Sequence, residues 1–161
     1  MHEATLARIG ASHEELLRAA RALVGTERNA VANMANLVAL LFNSLDRVNW
    51  LGFYLLRGEE LVVGPFQGKP ACVRIGVGQG VCGAAISTMR TLVVDDVHLF
   101  EGHIACDAAS RSEIVVPFAA GGARGLLDVD SPVPSRFGPA EKELFEECVR
   151  ILAEDSDPST F

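Results

Sequence analysis

An α+β domain, with a central mostly antiparallel six-stranded sheet bracketed by N- and C-terminal helices, follows from three observations. Helical spacing of apolar residues is confined to the two ends of the 161-residue chain. The middle breaks into short runs of β-formers separated by glycine-rich turns. Mixed patterning of this kind, strands in one block and helices at the ends, is that of a single α+β layer structure.

The elements follow in order. Ser12 to Glu15 reads as an S-x-x-E capping box, and Leu16, Leu17, Ala20, Leu23 and Val24 continue at helical spacing, so a first helix is expected over 12–24, closed by Gly25. A second begins near Thr26 and carries Val31, Met34, Leu37, Val38, Leu41 and Leu45 on one face. Trp50 to Leu56 and Leu61 to Phe66 flank Arg57-Gly58-Glu59-Glu60 as a hairpin. Further strands are expected at 73–77, 91–94, 113–119 and 124–130, with a short helix over 81–89 and a turn at Gly121-Gly122. Pro139 suits the first turn of a terminal helix bearing Leu144, Phe145, Cys148, Ile151 and Leu152. The whole chain is expected to be one domain with an ordered core over about 12–153, and the acidic, proline-containing tail 154–161 is expected to be disordered.

Composition narrows the function. The chain is 49% apolar and 22% charged with a net charge of −7, which argues against nucleic acid and anionic membranes as partners. Met1 to Gly25 has no uninterrupted apolar run, so neither a signal peptide nor a membrane anchor is expected, and a cytoplasmic location follows. In such a compartment cysteines are rarely structural staples, and Cys72, Cys82 and Cys106 cluster in one third of the chain. Cys148 falls on the apolar stripe of the last helix and reads as an inert buried thiol. Cys72, Cys82 and Cys106 lie among glycines, turns and polar residues, where solvent or substrate can reach a thiol.

Zinc is the competing reading of these thiols, with His98 and His103 as further ligands. The spacings C-x9-C and C-x23-C lack the tight knuckles of structural zinc sites, so no metal is expected, and the two histidines read as residues of an exposed loop. Gly76-Val-Gly-Gln-Gly-Val-Cys-Gly83 has no P-loop lysine and matches no nucleotide fingerprint. Its N–H groups, at the start of a helix, suit a small carboxylate, and the same placement would lower the pKa of Cys82. Asp128 and Asp130, two apart on an expected strand, face one side, and Glu113 opens the preceding strand. Three carboxylates sharing a pocket would bind an ammonium group and keep at least one proton for general acid work.

The strings Asn49-Trp50-Leu-Gly-Phe-Tyr54, Gly64-Pro-Phe-Gln-Gly68, Ala71-Cys-Val-Arg-Ile75, Gly80-Val-Cys-Gly83, Asp96-Val97-His98, Gly102-His-Ile-Ala-Cys-Asp-Ala-Ala-Ser110, Ser112-Glu113 and Leu127-Asp-Val-Asp-Ser131 resemble the free methionine-(R)-sulfoxide reductases, which are single GAF domains. The resemblance runs in order from about Val48 to Ser131. It implies a GAF fold with the helices packed mainly on one face of the sheet. It also implies Cys106 as nucleophile, Cys72 as main resolving cysteine and Cys82 as a further redox-active one. The bottom-up reading alone favours Cys82 as nucleophile, and the resemblance overrides it. Trp50, Glu113, Asp128 and Asp130 match the substrate pocket.

The implied reaction is reduction of free methionine sulfoxide through a sulfenic acid and a disulfide, with no bound cofactor and thioredoxin as electron donor. Stereochemical preference for the R epimer comes wholly from the resemblance. The alternative reading is a ligand-binding or redox-sensing GAF module without turnover, and the oligomeric state, monomer or homodimer, stays open.

Overall fold

A computed structural model describes residues 10–104 and 107–161. Ser12 caps the first helix, α1 (His13–Val24), through the reciprocal pair expected: its hydroxyl accepts from the Glu15 N–H, and the Glu15 carboxylate accepts from the Ser12 N–H. The next helix, α2 (Ala30–Ser44), starts later than Thr26. The Glu27 carboxylate accepts from the N–H groups of Arg28 and Asn29 and holds this segment as a turn, and Asn29 then caps the helix by accepting from Ala32.

The sheet comprises β1 (Trp50–Arg57), β2 (Glu60–Gly68), β3 (Arg74–Gly76), β4 (Leu92–Val94), β5 (Ser112–Ala120) and β6 (Ala123–Ser131). Its order is β3-β2-β1-β6-β5-β4, with every neighbouring pair antiparallel. Among the described residues the remaining α-helices are α3 (Gly80–Thr88), between β3 and β4, and α4 (Pro139–Asp155), with short 3₁₀ turns at Val97–Leu99 and Pro158–Thr160. The six strands fall where the β-rich runs place them, with the short edge strands β3 and β4 trimmed at their ends.

Period-two alternation divides the sheet into two faces. Leu51, Phe53, Leu55, Ile114, Val116, Phe118, Leu127 and Val129 pack against α1, α2 and α4 in one core. Trp50, Tyr54, Val115 and Leu126 point the other way, into a smaller core that includes Val81, Cys82, Ala85 and Ile86 of α3. Three helices thus cover one face, while among the described residues α3 and the loops around it, with the segment between β4 and β5, cover the other, which leaves room for a pocket there.

The tail corrects the expectation of disorder. Asp157 donates its N–H to the Arg28 carbonyl, Thr160 Oγ1 accepts from the Ala30 N–H, and Asn33 Nδ2 donates to Ser156 Oγ at 3.0 Å. Phe161 rests on Phe118 with ring centroids 5.4 Å apart. Polar composition alone suggested a solvated tail, but its polar atoms satisfy donors at the start of α2.

Two glycines make space for Trp50. A Cβ at Gly52 would stand 2.6 Å from the indole and 2.3 Å from Phe66 Cβ, and one at Gly68 would stand 2.8 Å from the indole. Gly52→Ala is therefore expected to cost about 1–3 kcal/mol through overpacking. It should also displace the indole. Denaturant midpoints and the emission of Trp50, the single tryptophan, measure both effects.

Candidate active site

Register builds the site. Trp50 pairs with Asp130 across β1 and β6, and Asp130 pairs with Glu113 across β6 and β5. These three residues therefore share one row on the α3 face of the sheet. Asp128 lies one step along, opposite Gly52 on one side and Val115 on the other. Because Gly52 has no side chain, the Trp50 indole takes the space above it, next to the position of Asp128. Trp50, Glu113, Asp128 and Asp130 line one pocket together with Tyr54, Cys82 and His103.

The aromatic wall is fixed from behind. Trp50 stacks on Phe66 at 5.4 Å and donates its indole N–H to the Lys69 carbonyl at 3.1 Å. The Tyr54 hydroxyl donates to the Cys72 carbonyl at 2.9 Å, tying the β1 wall to the segment that carries Cys72. Burial raises the Tyr54 pKa, and the nearby Asp128 adds to the effect, so the phenol stays a donor. Cys72 is held in a disulfide, while Cys82 and Cys148 are free thiols. Cys106 lies outside the described residues.

The carboxylates are crowded and nearly dry. Glu113 is 6% exposed and Asp128 7%, and among the described residues lining the pocket there is no lysine or arginine. Burial, reinforced by Asp128 and Asp130, pushes the Glu113 carboxyl well above its usual range. Burial raises Asp128 to about 6, against which the neighbouring Cys82 and Glu113 pull it down. Asp130 rises for the same first reason, with Asp128 and Asp107 adding to it. Among the described residues Oδ1 of Asp128 has no hydrogen-bond partner, which leaves a buried acceptor unsatisfied.

Cys82 departs from the expectation of an accessible, acidified thiol. Its side chain is 4% exposed and its thiol donates to Glu113 Oε1 at 3.8 Å. Burial, with Asp128 and Glu113 beside it, drives its pKa well up rather than down. The start of α3 does supply the helix N-terminus, but a half-charge on the helix cannot offset desolvation among carboxylates. Cys148 is fully buried on α4 with its thiol raised to about 12, consistent with an inert core residue.

Several site residues carried no role in the sequence reading. His103 was expected on an exposed loop; instead its side chain is 16% exposed and its Nε2 stands 3.8 Å from Glu113 Oε2. Burial lowers its pKa, with His98 adding to the effect. His98 does lie on the surface, against Asp96. Tyr54 was detectable, because it is four residues after Trp50 on one strand and period two puts both on the same face. Asp107 is held on both sides of its own position: it accepts from Asn49 Nδ2 at 3.2 Å and from the Ala109 N–H at 2.9 Å, and pairs with Lys69 at 3.4 Å. No sequence spacing announced that contact.

A metal is weighed against the same geometry. Among the described residues, Cys82, Glu113 and Asp128 bring one ligand atom each within 4.8 Å of one another. Among the described residues His98 and His103 belong to no such group.

The pocket lies where β1, β5, β6, α3 and nearby loops enclose the thinly covered face of the six-stranded antiparallel sheet, and residues 3–154 match the GAF domain family, to which the chain belongs. The free methionine-R-sulfoxide reductase of Escherichia coli is 48% identical over 141 residues, covering 87% of this chain and 86% of that protein. The enzyme of the same name from Saccharomyces cerevisiae is 38% identical over 148 residues, covering 86% and 82%. The free methionine-R-sulfoxide reductase of Neisseria meningitidis in complex with its substrate superposes with a TM-score of 0.88 at 40% identity, covering 96% of this chain and 95% of that one. The chain belongs to the free methionine-R-sulfoxide reductases, a family of oxidoreductases. Among the described residues, no helix is long and apolar enough to cross a membrane.

Raised carboxyl pKa values have a consequence for stability. Asp128 moves from 3.8 to about 6 on folding, so the native state holds its proton more tightly than the unfolded chain does. Its contribution is complete below about pH 4 and is lost as pH rises through about 6. Asp128→Asn cannot ionise. Its melting temperature relative to wild type is expected to improve steadily between about pH 4 and about pH 7 in ligand-free protein, as read by thermal unfolding across that range.

Proposed function

We propose that this protein reduces free L-methionine-(R)-sulfoxide to methionine by thiol chemistry, with Cys106 as nucleophile and Cys72 as resolving thiol. One observation carries the reading: three carboxylates, Glu113, Asp128 and Asp130, crowd beside the Trp50 indole in a pocket without a full countercharge. Such a group favours a ligand that brings its own cation and an apolar end. Free methionine sulfoxide has both. Its ammonium would meet the acids, its methyl group and sulfur would pack on the indole, and the amides at the start of α3 would hold its carboxylate.

The chemistry follows from the same groups. The Cys106 thiolate attacks the sulfoxide sulfur while a protonated carboxyl of the cluster gives its proton to the oxygen. Methionine leaves, and the oxygen stays on Cys106 as a sulfenic acid. The Cys72 thiol then attacks the Cys106 sulfur, the new disulfide forms, and the oxygen departs as water. A dithiol donor, thioredoxin in this proposal, reduces the disulfide by exchange and is itself oxidised.

The disulfide state of Cys72 supports this role. The buried, high-pKa Cys82 suits a reserve resolving thiol better than a first attacker. The setting proposed for this thioredoxin-driven cycle is the cytoplasm. No bound cofactor takes part, and the protein acts without nucleic acid or membrane.

Two experiments test the proposal. Cys106→Ser should abolish reduction of the free sulfoxide in an assay coupled to thioredoxin, thioredoxin reductase and NADPH; near-normal turnover would move the nucleophile elsewhere. The second comparison is N-acetylmethionine sulfoxide, which keeps the sulfoxide and lacks the ammonium. Losing one charge-assisted contact of about 1.5–3 kcal/mol should lower kcat/KM by roughly tenfold to a hundredfold or more. Equal efficiency on both substrates would remove the acids from substrate recognition.

A further inference from the structure

We propose that Cys82, Glu113 and Asp128 form a binding site for a thiophilic divalent cation of the zinc or cadmium class, and that this cation competes with the substrate ammonium for the pocket. The inference shares its pocket with the function proposed above and concerns a different ligand.

Three independent features point to it. The three ligand atoms all lie within 4.8 Å of one another, and Cys82 Sγ is 3.8 Å from Glu113 Oε1. Tetrahedral zinc, with Zn–S of about 2.3 Å and Zn–O of about 2.0–2.2 Å, sets its sulfur and oxygen ligands about 3.5 Å apart. Closing that difference takes small side-chain movements and no change in the strands. The second feature is the unpartnered Oδ1 of Asp128, on a side chain more than nine-tenths buried and lining the pocket. A buried lone pair without a donor is a ligand in waiting.

The third is donor chemistry. One thiol with two carboxylates suits Zn²⁺ or Cd²⁺, whereas Mg²⁺ and Ca²⁺ call for oxygen ligands alone and more of them. Three protein ligands leave one tetrahedral position for a further ligand such as water.

Binding would displace the Cys82 proton and any protons on the two carboxyls into the buffer, with no change of oxidation state. Its effect on the enzyme is direct. The bound cation occupies the carboxylates that an ammonium needs and ties up Cys82 as a thiolate. Free zinc should therefore inhibit competitively with the sulfoxide.

The redox state in which Cys72 is oxidised isolates the site, because Cys82 and the core residue Cys148 are then free thiols. Chelator-stripped protein in this disulfide form is titrated with Cd²⁺, following the ultraviolet thiolate-to-cadmium charge-transfer band. The expected result is one Cd²⁺ per chain with a band that Cys148→Ser retains and Cys82→Ser loses. Asp128→Asn, checked for folding by circular dichroism, should bind at least tenfold more weakly. Free methionine sulfoxide should bleach the band as its concentration rises.

Absence of a band in wild type, an unchanged band in Cys82→Ser, or full-strength binding by folded Asp128→Asn would overturn the site. A band that persists at saturating sulfoxide would overturn the competition. The band reports bound cadmium and not turnover. Cadmium binding without sulfoxide reduction would therefore count against the function proposed above, and reduction without a band against the metal site alone.

Discussion

The placement of three carboxyl groups on the thinly covered face of the sheet is the constraint from which the rest of this structure follows. Glu113, Asp130 and Trp50 stand in one row across three strands because β5, β6 and β1 pair in that order and register. A slip of one residue in either pairing would turn the acids into the apolar layer beneath α1, α2 and α4. That layer, packed around Phe53, Leu127 and Phe145, therefore does more than stabilise the domain. It locks the register that holds mutually repelling groups together. Gly52 and Gly68 contribute in the same sense, since they let the indole lie flat beside the acids.

Electrostatics then divides the labour among otherwise similar groups. In the empty pocket the cheapest way to bury crowded carboxylates is to protonate them, which is why all three acids rise above their ordinary range. An entering cation reverses that preference for some of them while leaving a proton available on another. The same surroundings suppress the Cys82 thiolate, so proximity to the carboxylates and nucleophilicity are separated in this pocket. A helix N-terminus was a sound reason to expect an activated thiol, and it lost to desolvation. Sequence alone shows which residue starts a helix but not how dry its surroundings are.

Most of the fold was legible because its signals are local. The Ser12 capping box, the β1–β2 hairpin around Gly58 and the proline start of α4 each sit where short-range chemistry puts them. The acids were legible too, because Asp128 and Asp130 differ by two on a strand. What escaped depends on contacts far apart in the chain. His103 reaches the pocket against Glu113 of β5, Asp107 is fixed by Asn49 and Lys69, and the tail is held by Asn33 at the other end of the sequence. Polar composition described each of these segments as solvent-facing. Their partners, spread across distant elements, decided otherwise.

The central claim is that the acids hold protons until a cation arrives, and proton linkage measures this directly. Calorimetric titration of the disulfide form with free methionine sulfoxide, near pH 6 in buffers of different ionisation enthalpy, counts protons exchanged on binding. The account predicts net release of roughly one proton, because the incoming ammonium lowers the pKa values of carboxyls that were protonated in the empty pocket. A binding enthalpy that does not change from buffer to buffer, or net proton uptake, would contradict it.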